Sequence, residues 1–135
     1  EVADWQRSIH VNLTAPFAIT QVCLPLLYTA PDASVIFTAD SVAHEAKAYW
    51  GAYAAGKCSL ETLSAMFAAE NQHRENLRFN AVDPGPLTTS LRKKAFPSDD
   101  PHARAPETAV ATMLYLLGEQ GRGVTGQRIE TKDFA

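Results

Sequence analysis

Tyr53 and Lys57 stand four residues apart in the segment WGAYAAGKCS, and the small residues between them, 54–56, leave room for a flat ligand. On a helix, positions four apart share a face with Cβ atoms roughly 5–6 Å apart, so the ammonium can approach the phenol. Positive charge favours the phenolate, and lowering a tyrosine pKa from about 10 to about 7 requires about 4 kcal/mol. Such a tyrosine would be a general acid and base at neutral pH. The spacing also fits a half-buried ring beside a solvated lysine.

Two polar residues follow a short apolar run, SVIFTA at 34–39, which has the composition of a buried strand. Ser41 lies twelve positions before Tyr53, and a serine at the end of that strand can reach the cavity beside the phenol. Asp40 stands directly before it. The alternative for both residues is a turn in which their side chains bond the local backbone.

Asn12 lies inside a predicted helix, four residues before Pro16. Asparagine is mildly unfavourable in a helix interior. A helical carbonyl at position 12 would accept a hydrogen bond from the N–H of residue 16, which proline lacks. The pattern therefore predicts either a simple kink or a carbonyl that is kept available to hold a water molecule.

The segment NAVDPGPLTTSL, 80–91, places Gly85 between two prolines at the end of a second apolar strand. Glycine lets the backbone pass close to a ligand, and Thr88 or Thr89 can donate hydrogen bonds to phosphate or amide groups. The alternative is an ordinary strand-ending turn, which any α/β protein needs.

The remaining elements must position these residues. Apolar periodicity predicts helices at 4–29, 51–71 and 106–117, strands at 34–39, 76–82 and 127–130, and a mobile loop with one helical turn at 86–105. Strands that alternate with helices pair in parallel through right-handed crossovers. The predicted fold class is α/β, one half of a doubly wound parallel sheet with three strands in this chain. Ligands bind such sheets beyond the carboxyl ends of the strands.

The composition excludes several classes of protein. The 135 residues suit one domain, with the 46% hydrophobic and 20% charged residues of a globular chain. A net charge of -3 does not indicate a surface that binds nucleic acid. No apolar run approaches the ~18 residues that span a bilayer. Two cysteines in apolar patterns favour free thiols, and the four histidines never pair at metal-ligand spacing. We expect a cytoplasmic protein without metal, nucleic acid or membrane.

Taken in order, these segments resemble the short-chain dehydrogenase/reductase family over essentially the whole chain. The matching motifs are VNLTAPFAIT with Asn12, VIFTADSVA with Ser41, YAAGK with Tyr53 and Lys57, NAVDPGPLTTS with Pro84 and Gly85, and the closing VTGQRIE. The chain is similar in particular to a bacterial subgroup of uncharacterised oxidoreductases. The resemblance implies an NAD(P)-dependent oxidoreductase that interconverts a carbonyl and an alcohol.

The resemblance also implies a role for each residue. Tyr53 would give or take the substrate proton, Lys57 would lower its pKa and bind the nicotinamide ribose, and Ser41 would position the substrate oxygen. Asn12 would hold, through its main-chain carbonyl, a water leading from Lys57 to solvent. The nicotinamide and its phosphate would lie against Pro84, Gly85, Leu87 and Thr89.

The family further implies partners for the chain. The loop 86–105 would cover a small-molecule carbonyl or alcohol substrate. The cofactor would be NADP, as the subgroup resemblance favours, or NAD. The helices at 4–29 and 51–71 commonly form the subunit interface in this family, so a homodimer or homotetramer is expected.

The sequence departs from the family pattern in two ways. Many members have a second serine where Asp40 stands, so a carboxylate here implies a changed substrate polarity or merely a capped turn. The glycine-rich phosphate turn of the family is absent, and we expect residues 1–135 to be the C-terminal catalytic portion of one Rossmann-like domain whose N-terminal dinucleotide-binding half lies outside the chain. Strand 34–39 would then be an unpaired edge. The alternatives are a non-catalytic dinucleotide-binding or interaction module and an inactive truncated fragment.

Overall fold

The computed structural model describes residues 1–45, 47–96, 98 and 101–131. In this part of the chain, parallel strands alternate with helices. The elements in order are α1 (Val2–Ile9), a π-helical turn (His10–Thr14), α2 (Ala15–Thr29), β1 (Ala33–Thr38), a 3-10 turn (Ser41–Ala43), α3 (Gly51–Glu70), β2 (Leu77–Asp83), α4 (Ser90–Ala95), a 3-10 turn (Pro106–Ala109), α5 (Val110–Leu117), a 3-10 turn (Glu119–Gly121) and β3 (Arg128–Glu130).

The three strands form one parallel sheet in the order β1-β2-β3, which confirms the predicted α/β fold class. Thr38 near the end of β1 lies opposite Val82, and Asp83 at the end of β2 lies opposite Glu130. Because all strands run in one direction, their carboxyl ends meet at one edge of the sheet. Among the described residues β1 and β3 are the two edge strands, so β1 has the unpaired edge that was predicted for strand 34–39.

Every residue of β2 is buried, as expected of a central parallel strand covered on both faces. On one face Phe79 stacks on Phe67 of α3 with ring centroids 5.2 Å apart, and Phe67 stacks on Phe37 of β1 at 6.2 Å. On the other face Val82 packs with Leu116 of α5. Burial of these side chains holds β2 in place, and it fixes where the ends of β1 and β2 stand.

The helix predicted at 4–29 is one continuous helix, Val2–Thr29. Its middle forms a π-helical turn in which the Ala15 N–H donates to the His10 carbonyl, five residues back. Because Pro16 has no N–H, it cannot make the ordinary bond to the carbonyl four residues before it. The wider turn accommodates that loss and keeps the helix unbroken.

The same helix presents an exposed apolar face. Pro25 lies inside it, and an 18-residue window reaches a mean hydropathy of 1.3 with only 6% of it buried. The prediction that no apolar stretch approaches the length of a bilayer span is therefore wrong, because the helix runs through both of its prolines. By length and composition it could cross a membrane, a test that core helices also pass. The exposed apolar residues Val11, Ile19, Val22 and Leu26 equally fit a face covered by further protein.

The segment 86–105, predicted as a mobile loop with one helical turn, has more regular structure in its first part than predicted. It contains α4, and its base closes where the Arg104 N–H donates to the Pro86 carbonyl at 2.9 Å. Pro106 starts the next helical segment, as predicted. Residues 97, 99 and 100 of this predicted loop lie outside the described residues.

Candidate active site

A cleft of about 680 Å³ opens at the carboxyl ends of β1 and β2, the edge at which ligands bind in open parallel sheets. Tyr53 enters it from the first turns of α3. Asp40 lines this cleft, and so do six of the eight residues given a catalytic or cofactor-binding role: Ser41, Tyr53, Pro84, Gly85, Leu87 and Thr89. Asn12 and Lys57 are not among its lining residues.

The Tyr53 hydroxyl donates a hydrogen bond to Asp40 Oδ2 at 2.9 Å. The other carboxylate oxygen, Oδ1, accepts from the Val42 N–H at 3.0 Å and so caps the 3-10 turn after β1. Burial, followed by the charge of Asp40, raises the pKa of Tyr53 above its ordinary value of 10. This is the opposite of the lowering predicted from the spacing of Tyr53 and Lys57, because the charge in contact with the phenol is negative.

The Lys57 ammonium lies beside the tyrosine ring. Nζ is 5.7 Å from the Tyr53 ring centroid, and it donates to the main-chain carbonyl of Thr38 at 2.8 Å. Burial lowers the pKa of Lys57, while the charges of Asp40 and Asp83 act in the opposite sense. The lysine is thus attached to the end of β1, within electrostatic reach of the phenol.

Ser41 begins the 3-10 turn after β1 and is exposed in the cleft next to Asp40. Its carbonyl accepts from the His44 N–H at 2.9 Å. The structure therefore brings Ser41 and Tyr53 into one cleft, but Asp40 is the residue that bonds the phenol.

Asn12 lies in the π-helical turn, against α3. Its side-chain Nδ2 donates to the Ser8 carbonyl at 2.9 Å, and a Cβ placed on Gly56 would come within 3.0 Å of the Asn12 Cβ. Gly56 therefore makes room for the long helix, whereas the sequence interpretation reserved the space at 54–56 for a ligand. The π-helical turn therefore contacts α3 at Gly56, the residue that directly precedes Lys57.

The turn after β2 is held rigidly. Gly85 has a φ of 66°, in the left-handed region that favours glycine. Its N–H donates to Asp83 Oδ1 at 2.8 Å, and Arg128 of β3 donates to Asp83 Oδ2 at 2.6 Å. Burial raises the pKa of Asp83, whereas these two donors act to lower it. The Pro84 carbonyl accepts from Arg104 at 3.0 Å.

The segment after this turn forms the next wall. Leu87 pairs with Arg104 in an isolated parallel bridge, and the Thr88 N–H donates to the Arg104 carbonyl at 2.8 Å. Thr89 caps α4, since its Oγ1 accepts from the Arg92 N–H at 3.2 Å. Leu87 and Thr89 therefore face the cleft from a segment with a fixed backbone.

An aromatic wall closes the far side. Phe96 after α4 stacks on Trp50 before α3 with centroids 5.1 Å apart, and Trp50 meets the Tyr53 ring edge-on at 5.7 Å. The Lys47 ammonium lies over both the Trp50 and the Phe96 rings. The cleft is therefore polar at the strand ends and apolar opposite them.

Sequence reasoning did not identify Asp83 and Arg128 as residues of the site. It predicted that Asp40 either caps a turn or changes the polarity of the substrate that binds. An aspartate before Pro-Gly at a strand end is a signal for a side chain that bonds the turn's own backbone. Arg128 lies in a short strand opposite Ala81 of the buried strand β2, and a charge beside a buried strand needs a carboxylate partner. Within the described ranges, no three His, Cys, Asp or Glu residues are arranged to hold a metal ion.

Comparison with known proteins agrees with this architecture. The family model described as short chain dehydrogenase matches residues 1–100. The uncharacterized oxidoreductase YciK of Escherichia coli is 38% identical over 129 residues, which cover 95% of this chain and 50% of that protein.

Solved structures show the same likeness. A short chain dehydrogenase from Salmonella enterica superposes with a TM-score of 0.91 at 37% identity, covering 98% of this chain and 54% of that one. A short chain dehydrogenase from Shigella flexneri complexed with NADP has a TM-score of 0.89 at 36% identity, over 98% of this chain and 55% of that one.

These coverages mean that the chain spans about half the length of the relatives it matches. Within that span the fold is shared with short chain dehydrogenases, and the similarity to YciK agrees with the subgroup expected from the sequence. The chain belongs to the short-chain dehydrogenase family.

Proposed function

We propose that this chain is the C-terminal catalytic portion of an NADP-dependent oxidoreductase that interconverts a carbonyl and an alcohol of a small molecule. The observation that carries the proposal is the Tyr53 hydroxyl, which lies in a cleft at the strand ends with Lys57 one helical turn away. A phenol with one transferable proton, in a cavity of ligand size, suits proton transfer to a bound carbonyl oxygen.

In this proposal Tyr53 donates its proton to the carbonyl oxygen during reduction and takes a proton when an alcohol is oxidised. Burial and Asp40 raise the pKa of Tyr53, so the phenol stays protonated at neutral pH and carries the proton that reduction requires. Lys57, attached to the Thr38 carbonyl, stabilises the phenolate that forms. Ser41 positions the substrate oxygen from the opposite side of the strand end.

The residues after β2 fit the nicotinamide half of a dinucleotide. Gly85 has no side chain at the point where the backbone turns into the cleft, and Pro84, Leu87 and Thr89 continue the wall. Lys57 would hold the ribose, and the Asn12 carbonyl would hold a water on the other side of α3. Bound NADPH would supply the hydride. The choice of NADP over NAD is supported by the Shigella flexneri structure complexed with NADP.

We further propose that an N-terminal dinucleotide-binding half precedes this portion in a longer protein. The relatives are about twice as long as this chain. The exposed apolar face of Val2–Thr29 and the exposed Met66 of α3 supply a surface for a homodimer or homotetramer. The expected partner is a small carbonyl compound in the cytoplasm, with neither nucleic acid nor membrane involved.

Replacing the phenol oxygen tests the proposal. In the full-length protein, Tyr53→Phe should reduce carbonyl-dependent NADPH oxidation by about 100-fold or more, because a positioned acid contributes at least that factor. NADPH binding, followed by fluorescence, should persist in this variant. Tyr28→Phe is the matched control, since Tyr28 packs on Arg74 away from the cleft. Wild-type turnover by Tyr53→Phe would refute the role of Tyr53.

One observation favours a second candidate, a non-catalytic module that keeps the fold. Asp40 takes the only proton that Tyr53 can offer, and a permanent bond of this kind would block proton transfer. NADPH binding without turnover across a broad panel of carbonyl compounds and alcohols would support this candidate, and measurable turnover would end it. An intact mass near 14.7 kDa for the protein isolated from its source would instead favour a truncated interaction domain.

A further inference from the structure

Asp40 does more than cap a turn. Resting on the proposed function, we propose that Asp40 is a specificity-determining residue, which selects carbonyl substrates that bear a hydroxyl or ammonium group on the carbon next to the reacting carbonyl. The inference depends on the hydrogen bond between Asp40 and Tyr53, and on what must replace that bond when a substrate enters.

The Tyr53 hydroxyl has one proton, and that proton is donated to Asp40 Oδ2 at 2.9 Å. A substrate carbonyl can only accept a hydrogen bond. The carbonyl and Asp40 therefore compete for the same proton. When the carbonyl takes it, Asp40 Oδ2 loses its donor.

Asp40 cannot easily turn away to find another donor. Its Oδ1 is engaged by the Val42 N–H at 3.0 Å, its backbone is fixed at the end of β1, and the residue is half-buried. Lys57 Nζ donates to the Thr38 carbonyl at 2.8 Å, and in the described structure it acts on Asp40 through its charge rather than through a hydrogen bond. Leaving an ionised acceptor without its donor in such a place is costly, so a good substrate must bring a replacement donor.

A hydroxyl on the neighbouring carbon supplies that donor. The two oxygens of a vicinal hydroxyketone are about one hydrogen-bond length apart, and the oxygens they must meet, Tyr53 Oη and Asp40 Oδ2, are 2.9 Å apart. The carbonyl can then accept from Tyr53 while the hydroxyl donates to Asp40. An ammonium in the same place would make the same exchange with added charge attraction. A simple ketone offers no donor.

The rest of the cleft fits this assignment. The second carboxylate that lines it, Asp83, is occupied by the Gly85 N–H and by Arg128. The opposite wall is the stacked pair of Trp50 and Phe96, which suits an apolar or aromatic remainder. Phenacyl alcohol, a hydroxyketone with a phenyl ring, and acetophenone, its analogue without the hydroxyl, are therefore suitable matched probes.

The test compares these two ketones on the full-length protein, as wild type and as Asp40→Ser and Asp40→Asn. Both substitutions keep a side-chain acceptor for the Val42 N–H, so the turn is retained. Wild type should prefer phenacyl alcohol over acetophenone in kcat/KM by roughly 10- to 100-fold, the factor expected when a charged acceptor is left unpaired. In Asp40→Ser the preference should fall to within a few-fold. Glu119→Gln, which removes an exposed carboxylate elsewhere, should keep the wild-type preference.

A binding measurement separates this inference from the proposed function. Calorimetric titration of both ketones into the complex with oxidised NADP should show the same ratio in Kd, and Asp40→Ser should remove it. If neither ketone is reduced, the proposed function fails, and the Kd ratio still decides the role of Asp40. Equal Kd values in wild type, or a preference that persists in Asp40→Ser, would overturn the inference.

Discussion

The two neighbouring strands β1 and β2 each deliver an aspartate at their carboxyl end, and the two carboxylates have different partners. Asp83, after β2, is buried and bonded by the Gly85 N–H and by Arg128. Asp40, after β1, is half-buried and bonded by the Val42 N–H and by the Tyr53 hydroxyl. The first carboxylate holds a wall of the cleft, whereas the second contacts the group proposed to react.

The order of the strands explains the difference. β3 pairs with β2, so Arg128 stands within reach of Asp83, and the two strands run side by side to Asp83 and Glu130. β1 also pairs with β2, but Asp40 lies just beyond its end as the cap of the 3-10 turn, where its carboxylate meets the Val42 N–H and the Tyr53 hydroxyl. The same residue type therefore has a structural role where it contacts Arg128 and a role at the phenol where it contacts Tyr53.

The largest effect should come from removing the cation. Arg128 donates to Glu61 at 3.2 Å, to Asp83 at 2.6 Å and to Glu130 at 2.9 Å. Arg128→Met leaves these carboxylates facing each other, two of them largely buried, and should lower the free energy of unfolding by about 3 kcal/mol. Urea unfolding of the full-length protein, followed by circular dichroism, measures it.

Arg122→Met is the matched control for this substitution. Arg122 is 57% exposed and pairs with Asp32 at 3.8 Å and with Glu119 at 3.6 Å. Exposed pairs of this kind contribute little, so the control should change stability by less than about 1 kcal/mol. Equal losses for the two arginines would show that the cluster around Asp83 is not the wall support described above.

Gly85→Ala tests the wall itself. A side chain at a φ of 66° costs roughly 1–2 kcal/mol, and the added methyl would project to within 3.5 Å of the Arg104 guanidinium beside the cleft. We expect that loss of stability together with a raised KM for NADPH. Gly123→Ala, at a φ of 85° with open space around it, should lose similar stability with an unchanged KM. A raised KM in both variants would mean that strain, not position in the cleft, sets cofactor binding.

The fold could be predicted from the sequence because its signals are local. Apolar strands, β-branched residues and Pro-Gly turns placed β1 and β2 within one residue of their observed bounds. The long helix shows the limit of such signals. Pro16 indicates a lost backbone bond, but whether the chain kinks or widens into a π-helical turn depends on its packing against Gly56.

The site was less predictable for a physical reason. The spacing of Tyr53 and Lys57 fixes that the two side chains share a face, but the pKa of the phenol depends on which charge reaches its oxygen. Asp40 lies 13 residues before Tyr53 on a different element, and the folded strand end brings the carboxylate to the hydroxyl. Contacts that cross from strand to helix leave no periodic pattern in the sequence.

The pH dependence of alcohol oxidation measures the effect of Asp40 on the pKa of Tyr53. Tyr53 must be deprotonated to act as a base, so activity should rise with pH toward the raised pKa of Tyr53. Burial is the larger cause of the raised pKa and the charge of Asp40 is the second. Asp40→Asn should therefore move the rise in activity to lower pH, while the pKa of Tyr53 stays above its ordinary value. The neutral phenol also stabilises the fold below pH 10, a contribution lost as pH rises through the raised pKa. If activity rose at the same pH in wild type and in Asp40→Asn, Asp40 would not be a cause of the raised Tyr53 pKa.

The smallest effect concerns the contact that joins the two regions, the stack of Phe96 from the segment after β2 on Trp50 from the segment after β1. Phe96→Leu keeps an apolar side chain but loses the ring contact, which is worth roughly 0.5–1.5 kcal/mol. Because the stack lies opposite Asp40 and Asp83, the KM for phenacyl alcohol should rise a few-fold while kcat and the preference over acetophenone stay unchanged. Steady-state kinetics with both ketones measures this, with the exposed Leu114→Ala on α5 as control. A changed preference for phenacyl alcohol over acetophenone would mean that the aromatic wall, and not Asp40 alone, determines selection for the substrate hydroxyl.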